Sequence, residues 1–325
     1  MEKILEIIIS TEFLYSVFRI TTPLIFVTLG AMITARAGVI NIGLEGTMLF
    51  AAFAGVVISA WTQSTLLGIT AAVLTGIIVS LLMAYVVLVL KSDITLTGIA
   101  VNMLGSGGTV FLLFLVAGEK GISSSLPSKV LPKVNLPLVG KIPFLKDVLS
   151  NHNVMTYVAF ACIIVVYILM NKSVLGLRIK AVGENEDAVK SVGINTTRTK
   201  LISMVISGML AGLSGGYMSM GYVSWFARDM IAGRGFIALA AQQLGQGTVM
   251  GSTAAAFLFG AADSLGNNLQ AMSLPSEFVQ MIPYVATIVG LVVYSVSKKR
   301  KNEKRVAMVT QDTSRENYLG TGTEN

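Results

Sequence analysis

Charge, histidine and cysteine are all scarce in this sequence, and each scarcity removes a class of function. Only 13% of the 325 residues are charged, against about 25% in ordinary soluble domains. The chain holds one histidine, His152, and one cysteine, Cys162. Cys–His chemistry and clustered metal ligation have no ligands to draw on, and an internal disulfide is impossible. "GSGG" at 105–108 lacks the Lys-Ser/Thr of a phosphate loop and reads as helix packing. No enzyme site and no cofactor site emerges. A basic n-region and a small-residue cleavage site are also missing at the start, so no removable signal peptide is expected.

Apolar residues are what the chain has in quantity. They make up 54% of it and are gathered into runs of the roughly 20 residues that cross a bilayer as a helix. Spans are predicted near 13–35, 43–61, 66–90, 95–116, 154–172, 201–222, 234–246, 252–271 and 277–296. The fold class is an all-α polytopic membrane protein with about eight to ten transmembrane helices. Residues 1–296 form one transmembrane domain, and 297–325 a basic tail expected to be disordered.

The formal net charge is +7, but its placement speaks against nucleic acid. Six of the Lys and Arg residues fall between Lys172 and Lys200, and six more between Lys298 and Arg305. Basic segments flanking apolar spans mark the cytoplasmic side. Parity then puts the loop 117–153 outside, with His152 solvated in it, and places Lys91 and Arg36 inside. It also puts the acidic N-terminus outside, unless residues 36–48 form a re-entrant hairpin.

One stretch breaks the apolar habit. "ARAGVINIGLEG", 35–46, sets Arg36, Asn41 and Glu45 among Gly38, Gly43 and Gly46. Each glycine weakens a helix by about 1 kcal/mol relative to alanine, so their use is close backbone approach or a break where the helix unwinds. An intramembrane carboxylate is costly unless paired. Glu45 either braces the break against backbone amides or contacts solute. Arg36 reads as an interface anchor.

A second stretch, "GLRIKAVGENEDAVKSVGINTTRTK" (176–200), is polar and ordered. Gly183 and Gly193 bracket a short helix with acids at its start and Lys190 toward its end, as the helix dipole favours. Such a helix has no lipid to bury in, and its use is docking against a cytoplasmic partner.

With these residues in view, the chain resembles the permease family of bacterial ABC importers for branched-chain amino acids, sugars and nucleosides. The resemblance rests on "GVINIGLEGTMLFAAFAG", "GLRIKAVGENEDAVKSVGI", "GRGFIALAAQQLGQGTVMGSTAAAFLFGAADSL" and "LPSEFVQMIPYVATIVGLVVY", in the family's order. The "NIGLEG" form resembles the nucleoside branch, and the shorter of its two permeases in particular. It implies three partners besides the lipid bilayer: a second, different permease, a cytoplasmic ABC ATPase and an extracytoplasmic substrate-binding lipoprotein. It also implies that 173–200 is the coupling loop, with Gly183, Glu184, Asn185, Glu186, Asp187 and Lys190 at the ATPase. "AAQQLGQGTVMG" departs from the family's usual apolar and aromatic residues before the turn.

Candidates for the translocation path are Asn41, Glu45, Asn102, Gln242, Gln243, Asp263, Asn267 and Asn268. Amides with two carboxylates suit a neutral polar solute such as a nucleoside, although each taken singly reads more readily as a helix–helix bond than as a ligand contact. A sugar permease is the near alternative. A proton-coupled secondary transporter using Glu45 and Asp263 is the mechanistic one, and it leaves the ordered 176–200 loop unexplained.

Overall fold

In the computed structural model, residues 10–135, 148, 150–270, 285 and 292 are described. The expected span at 277–296, the motif before it and the basic tail lie outside the described residues. Among the described residues the regular structure is helical, apart from a two-residue antiparallel pair, β1 (Lys133–Val134) with β2 (His152–Asn153).

Long helices appear along the apolar runs, and all but the one at Leu44–Thr62 begin behind a capping side chain. These are α1 (Thr11–Arg36), α2 (Leu44–Thr62), α3 (Thr65–Leu88), α4 (Ile94–Ala117), α5 (Val154–Lys172) and α8 (Thr196–Tyr217). Ser10, Ser64, Asp93, Asn153 and Asn195 each accept a hydrogen bond from a first-turn amide, filling orphan donors as N-caps do. Two shorter helices, α6 (Val174–Glu184) and α7 (Glu186–Ser191), lie between α5 and α8, followed later by α9 (Arg234–Leu244) and α10 (Val249–Gln270).

Among the described residues, six helices are long and apolar enough to cross a bilayer, which is fewer than the eight to ten expected. The segment expected at 234–246 is not a crossing helix. With 11 residues in α9 and a rise of about 1.5 Å each, it reaches only half of the roughly 30 Å hydrocarbon core. Helix α10 has the length, but Asp263, Asn267 and Asn268 lower the apolarity of its second half.

Helix α1 is the hub. It is buried along most of its length and packs against α10, α8, α9 and α5. Pro23 sits inside it, and a proline leaves the carbonyl four residues earlier without its amide partner. That carbonyl belongs to Arg19, and the Tyr217 hydroxyl donates to it at 3.1 Å. Helices α3, α4 and α5 form the rim, turning Leu74, Ile78, Leu82, Leu104, Phe111, Leu115, Ile164 and Ile168 outward. Where α8 meets α3, a Cβ on Gly208 or Gly212 would strike the opposing backbone or its neighbours at 76, 72 and 73. Close approach of small residues is how membrane helices gain contact area without a hydrophobic driving force.

Connectors gather at two ends. One end holds Arg36, the Gly183–Glu184 turn and the Gln246–Gly247 turn, with Val39 packed near Leu88 and Ile94. The other holds Gln63 on Pro127, Ser123 on Phe226, and Tyr15 on Asn151. His152 lies at this second end but is not solvated, as the sequence suggested. It is buried at 2% exposure, stacks on Tyr15 with ring centroids 4.1 Å apart and places Nε2 2.8 Å from the Val148 carbonyl. Burial pushes its pKa down, because desolvation disfavours the charged ring.

Candidate functional site: two discontinuities that meet at Glu45

The first discontinuity lies between Arg36 and Leu44. Helix α1 ends with Gly38 in the left-handed region (φ +73°), and the chain folds back along α1. Val39 donates its amide to the Thr34 carbonyl at 3.0 Å. Asn41 donates from Nδ2 to the Ser207 hydroxyl at 3.2 Å, near the middle of α8, so the loop re-enters. Asn102 on α4 clamps the restart: Oδ1 accepts the Gly46 amide at 2.8 Å, and Nδ2 donates to the Ile42 carbonyl at 2.9 Å. Such a clamp supplies the partners that unwound backbone at membrane depth must have. Gly46 is packed so closely that a Cβ would land on the Val101 carbonyl, whereas a Cβ on Gly43 would meet the Met83 sulfur at 3.0 Å.

The second discontinuity is longer. Helix α8 loosens into a single π turn, Met218–Tyr222, and residues 223–233 run without regular structure before α9 begins. An isolated bridge from Ile122 to Ala227 and a bond from the Phe226 amide to the Ser123 hydroxyl hold its outer part. Asp229, Ala232 and Gly233 then take positive φ values of 52°, 50° and 79°. Non-Gly residues in that region cost about 1–3 kcal/mol and tend to cluster at working sites.

Glu45 joins the two. Its Oε1 accepts the Gly233 amide at 2.7 Å and its Oε2 the Gly235 amide at 2.6 Å. The carboxylate of one broken helix is therefore the N-cap of another. The same residues that leave α9 without a capping side chain of its own, "AGRG", let the backbone approach. A Cβ on Gly235 would meet the Glu45 backbone at 2.6 Å. The negative charge also lies at the positive end of the α9 dipole. One residue on, Arg234 donates to Asp263 of α10 at 3.1 Å, with both side chains largely buried. Ser106, halfway along α4, donates to Asp229 Oδ1 at 2.8 Å. At the far end of α9, Arg36 donates to the Gly247 and Gln246 carbonyls at 2.7 and 2.9 Å.

The candidate path residues thus scatter over several roles. Glu45, Asn102 and Asp263 come together around α9, each engaged with backbone or a charged partner. Asn41 is fully buried, and its Oδ1 finds no partner. Gln242 is buried, Gln243 exposed, Asn267 exposed, and Asn268 donates to the Ser264 carbonyl of its own helix. Sequence reasoning passed over Arg234, Asp229 and Ser106. The available signal was "ARDMIAGRG", three charges and two glycines between apolar stretches. Among the described residues, no group of three His, Cys, Asp or Glu side chains converges to hold a metal.

The polar segment after α5 is more helical than its glycines suggested. Ser173 ends α5 and caps α6, Asn185 ends α6 and caps α7, and Gly183 lies inside α6. Gly183 is needed there because a Cβ would land on the Arg36 carbonyl. Glu186 is tied inward, 2.5 Å from Lys200, 3.0 Å from Lys190 and 2.9 Å from the Thr196 hydroxyl. Hydrogen bonds from Lys200 and Lys190 hold its carboxyl down at about 2, and Glu186 in turn raises the Lys190 pKa. Glu184 and Asp187 project outward, with side chains 79% and 96% exposed.

Comparison with known proteins is consistent with this geometry. Residues 13–293 match the family model described as branched-chain amino acid transport system / permease component. The chain is 34% identical over 300 residues to the guanosine ABC transporter permease protein NupQ of Bacillus subtilis, covering 89% of this chain and 92% of that one. It is 32% identical over 303 residues to the nucleoside ABC transporter permease protein NupC of Lactococcus lactis, with the same coverage. The fold is similar, at TM-score 0.52 and 16% identity, to a metal-chelate type ABC transporter in an inward-facing conformation, over 87% of this chain and 85% of that one. A helical, multi-pass chain whose family match runs almost from end to end belongs to the permease components of the branched-chain amino acid transport systems.

Proposed function

We propose that this chain is one permease subunit of an ATP-binding cassette importer for nucleosides. It works with a second, paralogous permease, a cytoplasmic ATPase and an extracytoplasmic binding lipoprotein. The carrying observation is the match to guanosine and nucleoside permeases along nine tenths of both chains. The geometry supports it in two ways. Non-helical backbone at membrane depth is tolerated where it is buried in protein or lines a water-filled cavity, and residues 223–233 with α9 are such an element. The helix pair α6–α7 also presents Glu184 and Asp187 outward at the Arg36 end, which we assign to the ATPase side, with the basic tail on the same side. The Glu45 oxygens each accept an amide and Asp263 holds Arg234, so neither carboxylate is poised as a proton carrier.

The test is uptake of labelled guanosine into vesicles containing both permeases, the ATPase and the binding lipoprotein, with glucose as competitor. ATP-dependent uptake that unlabelled nucleosides suppress and glucose leaves alone supports the proposal. Uptake by this chain alone without ATP overturns it, and suppression by glucose moves the substrate to the sugar class.

A further inference from the structure

The Arg228–Asp229 pair is charged and exposed, and it reaches from the outer loop, where the Arg228 amide donates to the Gly121 carbonyl at 2.8 Å, to the middle of α4. Asp229 receives the Ser106 hydroxyl bond, and Ser106 is the midpoint of α4, which runs from Ile94 to Ala117. The side chains of Arg228 and Asp229 are nevertheless 68% and 53% exposed, and the guanidinium Nε lies 3.4 Å from the carboxylate. Contact with lipid at that depth is costly for either charge. A surface ion pair of this kind is also too weak to neutralise both groups against hydrocarbon. The backbone adds a second observation: Asp229 and Ala232 hold left-handed conformations, φ 52° and 50°, in a turn closed by the Ala232 amide on the Asp229 carbonyl at 3.0 Å.

Another face of the same helix behaves differently. Leu104, Phe111 and Leu115 are all more than half exposed and recur at helical spacing, which makes a dry apolar stripe.

We propose that Arg228, Asp229 and Ser106 line the water-filled solute path from the outer loop down to the middle of α4. They offer a carboxylate acceptor and guanidinium donors to an uncharged, hydroxyl-bearing solute. This deepens the transport reading above and rests on it for the solute class. The alternative use of the pair, burial against the second permease, is dry and is separated by the same experiment.

Cys162 is the one cysteine in the chain, so a Cys162→Ala background makes every added thiol unique. Arg228→Cys and Ser106→Cys, on two independent elements, are compared with Leu104→Cys in the assembled complex in membranes. The probe is a charged, water-soluble methanethiosulfonate, which reacts with thiolate. One unit of pKa difference between a wet and a dry thiol changes the thiolate fraction about tenfold. We expect both path positions to be labelled at least about tenfold faster than Leu104→Cys, and their labelling to stop uptake. Labelling no faster than at Leu104→Cys overturns the proposal whatever the complex carries, and so does fast labelling that leaves uptake intact. If nucleosides are not the solute, the rate comparison still stands, so the two readings fail separately.

Discussion

Replacing Glu45 by alanine removes the acceptor of two amides at the start of α9 in a single step. Gly233 and Gly235 would each lose a charge-assisted bond of 2.7 and 2.6 Å, and no side chain of the local sequence can take over, since the N-cap is Gly233 itself. Leaving a donor unsatisfied costs about 1–3 kcal/mol, and losing a negative charge at a helix N-terminus about 0.3–1 kcal/mol. Membrane hydrogen bonds measure lower, about 0.6 kcal/mol on average, because the unfolded chain in lipid also finds partners. For the two donors together the loss therefore lies between about 1.5 kcal/mol at the membrane value and about 7 kcal/mol at the upper limit. Glu45→Gln should be milder, since its amide oxygen still accepts one bond while its NH2 opposes the second donor. Two measurements apply to the purified complex: the thermal midpoint, and hydrogen exchange at the first turn of α9. Exchange there should rise in the order wild type, Gln, Ala. If the alanine variant stops uptake while α9 exchange and the midpoint stay at wild type, the carboxylate acts on solute or protons, and the capping argument is wrong.

Gly46→Ala should prevent assembly of a stable permease, because its Cβ would strike the Val101 carbonyl. Gly43→Ala should be milder, since its Cβ meets side chains, the Met83 sulfur at 3.0 Å and Val101 Cγ1 at 3.1 Å, rather than backbone; comparable folded yields of the two refute the packing reading. Arg234→Gln should destabilise by about 3–5 kcal/mol by stranding Asp263, and the double change Arg234→Met with Asp263→Leu by much less; equal unfolding midpoints for single and double variants count against a buried pair. Because Glu186 is held below its ordinary value, its contribution is present above about pH 4.5 and lost as pH falls toward about 2. The stability gap between wild type and Glu186→Gln should therefore narrow over that window, and a gap constant with pH contradicts the assignment. Reversing Glu184 and Asp187 to lysine should weaken ATPase co-purification while the spans still insert; exposed rim charges cost little and buried paired ones about 2–5 kcal/mol. Full co-purification and full solute-stimulated hydrolysis remove α6–α7 from the interface.

The long apolar helices, and the break between Arg36 and Leu44, were legible in the sequence because apolar runs and mid-span glycines are local signals. The bounds of α9 were legible too, since 234–246 is already short for a crossing; what caps its start was not, because the carboxylate lies 188 residues earlier. A backbone amide is present at every residue and leaves no mark in the composition. His152 was misjudged for a related reason: its cover is Tyr15, far away in the chain. The inward use of Glu186 likewise depends on Lys200, a full helix turn into α8.

Arg36 ends as more than an anchor. Its guanidinium grips the turn that follows α9, its carbonyl lies under Gly183, and seven residues later its own chain restarts as the helix bearing Glu45. Helix α9 is thus held at both ends by the two lips of one seven-residue loop. Because Ser173 and Asn185 are single-residue joints, α5, α6 and α7 have no slack between them. A displacement of the α6–α7 elbow must then either break the Gly183 contact or tilt α9 as a bar fixed at two pivots, so it behaves as a crank rather than a hinge.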